Sequence, residues 1–170
     1  MNNIVFIGFM AVGKSTIGKE VSKVLNMKFI DTDKEIEKKE NMNIDNIFKQ
    51  KGEKYFRDLE TKIIENMLCE KNIVLSTGGG IIEKDYNSKL LRQIGTVIWL
   101  DANKDTIMNN LSKSKEERPL LKECNIEERI NSIMSRRLQK YKNASHIIID
   151  TNNKSVDEVV CDILFNLNKL

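Results

Sequence analysis

The sequence contains few of the residues that mark disulfide scaffolds, metal centres or membrane spans. Its 170 residues include three cysteines, one histidine and one proline, and no apolar run approaches the roughly 18 residues of a membrane-spanning helix. Cys69, Cys124 and Cys161 are odd in number, far apart and at no metal-ligand spacing, so we expect buried free thiols in a reducing compartment. His146 begins an apolar run far from the motifs described below, and we expect it to be structural.

The sequence also lacks a strong charge of either sign. Its 28 basic and 25 acidic side chains leave a formal net charge of +3, and the basic residues are scattered along the chain. This pattern favours a small anionic ligand over a nucleic-acid backbone. The first apolar run comes within a few residues of Met1, without the basic segment, long apolar segment and cleavage site of a secretory signal. We therefore expect a cytoplasmic protein without membrane or nucleic-acid partners.

The most specific feature is the glycine-rich segment at residues 8–16, which fits the pattern G-x-x-x-x-G-K-[ST]. It follows an apolar run at residues 4–7 and precedes residues 17–25, where apolar side chains recur at helical spacing. Such a phosphate loop surrounds a polyphosphate with backbone N–H groups at the positive end of a helix, whereas the alternative is an ordinary glycine turn. We expect Lys14 to lie along the β- and γ-phosphates and the Ser15 hydroxyl to bind Mg²⁺. The other predicted nucleotide contacts in the loop are Ala11, Val12, Gly13 and Thr16.

Further apolar runs predict four more strands, separated by segments with helical periodicity. The runs cover residues 28–30, 73–76, 97–100 and 146–149. Strands that alternate with helices indicate one α/β domain with a parallel sheet and right-handed crossovers. Between the second and third strands, the chain has no strand signal and is expected to be helical except for a break near Lys51-Gly52. An all-helical insertion of this length suits a substrate-binding subdomain.

Polar residues and glycines follow the predicted strands, at the sheet edge where open α/β proteins bind ligands. Asp31-Thr32-Asp33 follows the second strand, and Thr77-Gly78-Gly79-Gly80 follows the third. Three successive glycines favour close approach to the backbone over a merely flexible turn. The polar run at residues 112–125 contains the single proline, Pro119, and predicts a mobile flap that closes a site against water.

These motifs follow one another in a characteristic order. After the phosphate loop come Asp31-Thr32-Asp33, Phe56-Arg57-Asp58-Leu59-Glu60, Ser76-Thr77-Gly78-Gly79-Gly80, Arg118-Pro119-Leu120-Leu121, and Arg137 before Tyr141. The ordered set resembles the shikimate kinase family over nearly the whole chain. The resemblance implies transfer of the γ-phosphoryl group of ATP to the 3-hydroxyl of shikimate, with ATP and Mg²⁺ required.

The resemblance also implies a fold and a division of the chain. The family has the three-layer P-loop kinase fold of nucleoside-monophosphate kinases, an α/β architecture with a five-stranded parallel sheet. Residues 1–170 would form a single kinase domain, with a helical substrate-binding insertion at residues 33–70 and a mobile lid at residues 112–125. We expect this domain to act as a monomer.

For the acceptor, the resemblance implies a carboxylate clamp made by Arg57 and Arg137, since a planar guanidinium grips a carboxylate in bidentate fashion. Glu60, three residues after Arg57, would orient that guanidinium. From the residues alone, both arginines fit a solvated helix surface better. The other implied substrate contacts are Asp33, Gly79 and Gly80. Asp33 would accept a hydrogen bond from the reacting hydroxyl, and whether it also takes the proton stays open.

At the phosphoryl end, Arg118 resembles the lid arginine that reaches the transferring phosphate. Asp31 resembles the acidic residue that reaches Mg²⁺, and capping of the following helix is compatible with that role. Asp101, after the fourth predicted strand, is a competing metal ligand, but the residues after it favour a helix N-cap.

Around the adenine, the sequence departs from the family pattern. Asparagines at residues 109–110 stand near the place where many members have an arginine, and Val156 stands where a proline often packs. We expect adenine contacts from Val156 and residues 151–155, including Ser155. Ala11 replaces a glycine found in many members, and we expect it to be tolerated because its backbone need not be left-handed.

Two other functions remain open. One is another small-molecule kinase of this fold, of the gluconate or nucleoside-monophosphate type. The other is a nucleotide-dependent binding module that hydrolyses ATP poorly. The combined presence of Asp33, Arg57, Gly79 and Arg137 argues against both, and ADP release that depends on shikimate would separate them.

Overall fold

Five strands form one parallel sheet within the computed structural model, which describes residues 2–113 and 126–169. They are β1 (Asn3–Ile7), β2 (Lys28–Asp31), β3 (Ile73–Ser76), β4 (Gly95–Asp101) and β5 (Ile147–Asp150). Their order across the sheet is β2-β3-β1-β4-β5, and each neighbouring pair is parallel. The predicted five-stranded parallel sheet is therefore confirmed, with the strand before the phosphate loop at its centre.

Helices connect the strands and cover both faces of the sheet. Among the described residues they are α1 (Lys14–Val24), α2 (Thr32–Glu40), α3 (Ile44–Met67), α4 (Asp85–Ile94), α5 (Lys104–Lys113), α6 (Ile126–Ala144) and α7 (Val156–Leu167), with a 3₁₀ turn (Ile81–Glu83) before α4. No helix in these two described stretches is both long and apolar enough to span a membrane.

Successive side chains of β1 point into two different cores, because side chains alternate across a strand. Ile4 and Phe6 pack with residues of α1, α5 and α7, whereas Val5 and Ile7 pack with residues of α4 and the carboxyl-terminal halves of α3 and α6. All four side chains are at most 1 % exposed. The sheet is thus the middle of three layers, as the resemblance implied, and a buried parallel sheet explains why its strands read as continuous apolar runs.

The helical segment between β2 and β3 has a small core of its own, made by Ile36 of α2 and by apolar side chains of α3. The break predicted near Gly52 is present, with φ of 80° and ψ of 167°. A second break, at residues 41–43, was not predicted. Asn41 is left-handed there, and Asn43 caps α3 by accepting a hydrogen bond from Asn46 N–H at 2.9 Å. That this segment forms a substrate-binding unit stays a prediction.

Two local expectations are wrong. The helix capped near Asp101 is capped by Asn103 instead, which accepts from Thr106 N–H at 2.8 Å. Asp101 remains in β4, and its carbonyl accepts from both Thr151 N–H and Thr151 Oγ1 at 2.9 Å. Residues 112–113 are the end of α5 rather than the start of a flap, and residues 114–125, the rest of the predicted lid, lie outside the described residues.

The expectation that the cysteines are buried is also wrong for the two cysteines that the structure describes. Cys69 and Cys161 are free thiols, as expected, but both are exposed. Cys69 lies in the turn after α3, and Cys161 lies beside, not on, the apolar stripe of α7. Cys124 lies outside the described residues.

His146 has the structural role that its position indicated. Its Nδ1 accepts a hydrogen bond from Val97 N–H at 2.9 Å and so joins the start of β5 to β4. Burial, together with the nearby charge of Arg92, holds the pKa of His146 below its usual value. The imidazole is therefore a neutral acceptor at neutral pH.

At the opposite edge of the sheet from the phosphate loop, the Asn3 side chain joins three segments of backbone. Its Nδ2 donates to the carbonyls of Glu70 at 2.7 Å and Ile94 at 3.1 Å, and its Oδ1 accepts from Ile73 N–H at 3.1 Å. These hydrogen bonds connect the start of β1 to the starts of β3 and β4, the two strands that flank it, and to the segments before them.

Asn3→Ala is expected to lower the free energy of unfolding by about 2–4 kcal/mol, because three backbone groups, two of them in buried hydrogen bonds, lose their partner. Urea denaturation followed by circular dichroism measures this change. The matched control is Asn143→Ala, at an exposed position of α6, with an expected change within about 0.5 kcal/mol. Equal stabilities of the two variants would contradict the structural role of Asn3.

Candidate active site

A cavity of about 740 Å³ opens where β1, β2 and β3 end. Its walls are the phosphate loop, the residues after β2, the glycines after β3 and the start of α3. Among the predicted site residues that line it are Ala11, Gly13, Lys14, Ser15, Thr16, Asp31, Asp33 and Gly79. The volume is in the range of small-molecule sites, and the edge is the one that the sequence predicted.

Backbone carbonyls of the phosphate loop bind the amine of the loop's own lysine. Lys14 is 8 % exposed, and its Nζ donates to the carbonyls of Gly8 at 2.9 Å and Phe9 at 2.8 Å. Gly8 has φ of 148°, and a Cβ there would stand 2.5 Å from the carbonyl oxygen of Leu100 in β4. Gly13 precedes α1 with φ of 94°. Both glycines therefore allow backbone geometry that holds the lysine and the first turn of α1 together.

Ala11 overturns the expectation about its backbone. Its φ is 59°, in the left-handed region, where an L-residue with a Cβ is disfavoured by about 1–2 kcal/mol. Its carbonyl accepts a hydrogen bond from Asn110 Nδ2 at 2.9 Å. The alanine thus adopts a conformation that suits glycine, and a side chain of α5 holds it there.

Ser15 and Asp31, the two predicted Mg²⁺ ligands, are in direct contact. The Ser15 hydroxyl donates to Asp31 Oδ2 at 2.6 Å and lies 3.3 Å from the hydroxyl of Ser76. Asp31 Oδ1 meanwhile accepts from the N–H of Asp33 at 3.0 Å and of Lys34 at 3.4 Å, so Asp31 also caps α2. The oxygen donors fit Mg²⁺, which binds few protein ligands beside water and phosphates. The described residues hold no cluster of three His, Cys, Asp or Glu that could bind a metal ion.

Each glycine of the triple-glycine segment is approached by a different group. A Cβ on Gly78 would stand 2.6 Å from Asp33 Oδ1 and 3.0 Å from Glu60 Oε1. A Cβ on Gly80 would stand 2.2 Å from Arg57 Nη1, and one on Gly79 would stand 3.1 Å from the backbone nitrogen of Met10. The close approach predicted from the glycines is therefore real, and the approaching atoms include the protein's own charged side chains.

Arg57 is held by two carboxylates of its own helix. Its Nη1 donates to Glu60 Oε2 at 2.8 Å, at the spacing that the sequence indicated. Its Nε and Nη2 donate to Glu53 Oε1 at 3.3 and 2.9 Å. Glu53 was missed, although its position four residues before Arg57 is the usual spacing for a helical ion pair.

Arg137 is held from outside its helix. Its Nε donates to Glu83 Oε1 at 2.6 Å, and its Nη1 donates to the Gly79 carbonyl at 3.2 Å. Glu83 was missed, and no local spacing could have revealed it, because 54 residues separate the pair. Although burial opposes the effect, the guanidiniums of Arg137 and Arg136 lower the pKa of Glu83.

Both clamp arginines are buried, with 8 % of Arg57 and 1 % of Arg137 exposed. The alternative of a solvated helix surface is therefore wrong for both. Within residues 2–113 and 126–169, Arg137 Nη2 is a buried donor with no hydrogen-bond partner. The Tyr141 hydroxyl donates to the same Gly79 carbonyl as Arg137, at 2.5 Å, and its ring stacks on Trp99. The Nη2 group of Arg137 therefore has no acceptor among the described residues.

Glu60 is the most unusual acid of the site. It is fully buried, and its Oε1 has no hydrogen-bond partner among the described residues. Burial raises the pKa of Glu60 to about 7; the charges of Arg57 and Arg137 oppose the rise, and the charge of Asp33 adds to it. This carboxyl therefore gains or loses a proton near neutrality.

A second cavity, of about 520 Å³, adjoins the other side of the phosphate loop. Ala11, Gly13, Thr16 and Asn110 line both cavities, which are therefore neighbours. Residues predicted to contact the adenine line this cavity, among them Thr151, Ser155 and Val156, and Val12 of the phosphate loop lines it as well. Ser155 additionally caps α7 in a reciprocal arrangement with Glu158. Arg118 lies outside the described residues.

Comparisons with known proteins agree with this geometry. A family model described as shikimate kinase matches residues 10–168. The chain is 43% identical to a shikimate kinase of a Sulfurihydrogenibium species over 99% of both chains, and 44% identical to one of Persephonella marina over 96% of this chain and 98% of that protein. Among solved structures, a shikimate kinase from Acinetobacter baumannii in complex with shikimate has a TM-score of 0.95 and 32% identity, over 99% of this chain and 94% of that one.

A gluconokinase from Sinorhizobium meliloti has a similar fold but is more distant. Its TM-score is 0.60 at 15% identity, over 99% of this chain and 92% of that one. A likeness at this level shows the fold alone.

The pKa of Glu60 predicts a specific pH dependence of stability. Because the folded-state pKa lies near 7, above the usual 4.5, the fold favours the neutral carboxyl, and this contribution is lost as the pH rises through about 7. We expect the wild type to lose stability relative to Glu60→Gln between pH 5 and pH 8, measured by urea denaturation. Glu53→Gln, which alters the half-exposed partner of the same arginine, is the control and should follow the wild type. A constant difference between wild type and Glu60→Gln would contradict the assignment.

Proposed function

The chain belongs to the shikimate kinase family, and we propose that it transfers the γ-phosphoryl group of ATP to the 3-hydroxyl of shikimate, yielding shikimate 3-phosphate and ADP. One observation carries the proposal. Two buried arginines from different helices converge on the triple-glycine backbone, next to the cavity of the phosphate loop. A site that keeps two guanidiniums out of water in this way suits a small acid with hydroxyl groups.

The acceptor carboxylate binds to Arg57 and Arg137 in this proposal. Glu60 and Glu83 hold the two guanidiniums in place, so little side-chain freedom is lost when the ligand enters. Arg137 Nη2 supplies the donor that the described protein groups leave unused. The missing side chain of Gly80 leaves room for the Arg57 guanidinium, and Gly79 lines the cavity, so the backbone of this segment is the proposed contact of the acceptor.

Asp33 accepts the hydrogen bond of the 3-hydroxyl. Its support is its position beside Gly78, in the same cavity as Lys14. Phosphoryl transfer proceeds through a loose transition state, so aiming the hydroxyl matters more than removing its proton. The neutral form of Glu60 lessens the negative charge around Asp33 and so favours an anionic acceptor.

The phosphates of ATP bind to the loop at residues 8–16. Lys14 exchanges its two backbone carbonyl partners for phosphate oxygens, and Arg118 adds positive charge from the lid. Ser15 and Asp31 would hold Mg²⁺, which when bound neutralises charge on the phosphate oxygens. The adenine lies against Val156 and residues 151–155 in the second cavity.

We further propose that the protein works as a cytoplasmic monomer without nucleic-acid or membrane partners. The scattered charge and the net charge of +3 support this view.

The direct test is a coupled assay of ADP release with ATP and Mg²⁺. Parallel reactions contain shikimate, gluconate, a nucleoside monophosphate or no acceptor. Release that depends on shikimate supports the proposal. Release only with another acceptor would retain the phosphate loop but overturn the arginine clamp, and silence in every reaction would favour a binding module.

Arg137→Ala is expected to raise the KM for shikimate about 10–100-fold and the KM for ATP less than about threefold, because a charged hydrogen bond to the acceptor is lost. Arg136→Ala is the matched control. Arg136 donates to the same oxygen of Glu83 at 2.7 Å, but 60 % of its side chain is exposed. A similar rise in both KM values, or an equal effect of the two variants, would indicate a structural role for Arg137.

Lys14→Ala is expected to lower kcat at least about 100-fold, since the variant lacks the cation that lies along the transferred phosphate. The thermal midpoint should change little relative to this loss, because the lysine amine donates to two carbonyls of its own loop, those of Gly8 and Phe9. Normal turnover by a folded variant would overturn the assignment of the phosphate loop.

A further inference from the structure

The hydrogen bond between Asn110 and Ala11 links two parts of the chain that lie 99 residues apart. Ala11 is in the middle of the phosphate loop and has a left-handed backbone despite its Cβ. Asn110 is on α5, shortly before residue 112, where the predicted lid begins. The contact therefore joins the loop to a helix that contributes no residue to the loop motif.

The hydrogen bond from Asn110 acts on the orientation of the Ala11–Val12 peptide. In a trans peptide, the carbonyl of one residue and the N–H of the next point in opposite directions. A side chain that grips the carbonyl of Ala11 therefore also fixes the direction of the N–H of Val12. That N–H is one of the donors expected to bind phosphate, and a rotated peptide would present a carbonyl oxygen in its place.

The helix that carries Asn110, α5, is held in place by packing and by hydrogen bonds. Ile107, one turn earlier on α5, is fully buried in the core shared with β1. The amino terminus of α5 is tied to the segment after β5, since Asn152 Oδ1 accepts from Asn103 N–H at 2.8 Å and from Thr106 Oγ1 at 2.9 Å. A fixed helix can hold a peptide whose own conformational preference is different.

We propose that Asn110 is a positioning residue for ATP, whose amide holds the Ala11–Val12 peptide in the orientation that directs the Val12 N–H at the phosphates. The inference deepens the proposed function and rests on it. Asn110 serves as the substitute for the conformational freedom that a glycine at position 11 would provide. Because Asn110 contacts the phosphate loop, we expect its effect in ATP binding rather than in acceptor binding.

The test combines two substitutions in a cycle: Asn110→Ala, Ala11→Gly and the double variant. ATP affinity is measured by isothermal titration calorimetry without acceptor, and both KM values are measured in the coupled assay. Asn110→Ala is expected to weaken ATP binding about tenfold and to change the KM for shikimate less than about twofold. Ala11→Gly in the Asn110→Ala background is expected to return ATP binding to within about threefold of wild type, because glycine adopts the left-handed region readily.

The control is Asn143→Ala, at an exposed position of α6, which should bind ATP as the wild type does. Loss of ATP binding that Ala11→Gly does not recover would mean that Asn110 contacts the nucleotide itself, which overturns the inference. An Asn110→Ala variant that binds ATP like Asn143→Ala overturns it too, as does an equal loss of ATP and shikimate.

The same data separate this inference from the proposed function. ATP binding without acceptor does not depend on which acceptor is phosphorylated. A wild type that binds ATP but shows no release with shikimate would overturn the proposed function, while the cycle would still decide the role of Asn110. A wild type that binds no ATP would overturn both.

Discussion

Charged side chains of both signs pack against a stretch of backbone that carries no side chains. The glycines after β3 leave room for the Asp33 and Glu60 carboxylates at Gly78 and for the Arg57 guanidinium at Gly80. A methyl group at either glycine would stand within 3.0 Å of these charges. Because α2, α3, α6 and the phosphate loop all meet this segment, the relative positions of Arg57, Arg137 and the phosphate loop depend on it.

Burial of so many charges is costly, and the site offsets the cost by pairing them. Glu60 and Glu83 each take up a guanidinium, yet one acceptor on Glu60 and one donor on Arg137 remain unpaired among the described residues. In a low-dielectric interior, such groups interact strongly with any partner that enters. Glu60 Oε1 and Arg137 Nη2 are therefore able to hydrogen-bond to a small polar ligand. The same burial raises the pKa of Glu60 to about 7.

The sequence predicted what depends on local pattern. Apolar runs located the strands, and the glycine-lysine motif located the cavity edge, because both features are set by neighbours in the chain. Burial of Arg57 and Arg137, and the partnership of Arg137 with Glu83, depend on contacts between distant segments. Composition and spacing carry no record of such contacts. The backbone of Ala11 was misjudged for the same reason, since a side chain from α5 stabilises a conformation that alanine alone disfavours.

The position of β1 has a consequence for the order of folding. The first strand of the chain is the central strand of the sheet, and its partners β3 and β4 begin only at residues 73 and 95. During synthesis, the amino-terminal segment therefore emerges long before the strands that flank it. Gly8 of the phosphate loop lies against the carbonyl of Leu100 in β4, so the loop completes this contact only after β4 has joined the sheet. A nucleotide that binds the completed loop stabilises the folded domain by mass action.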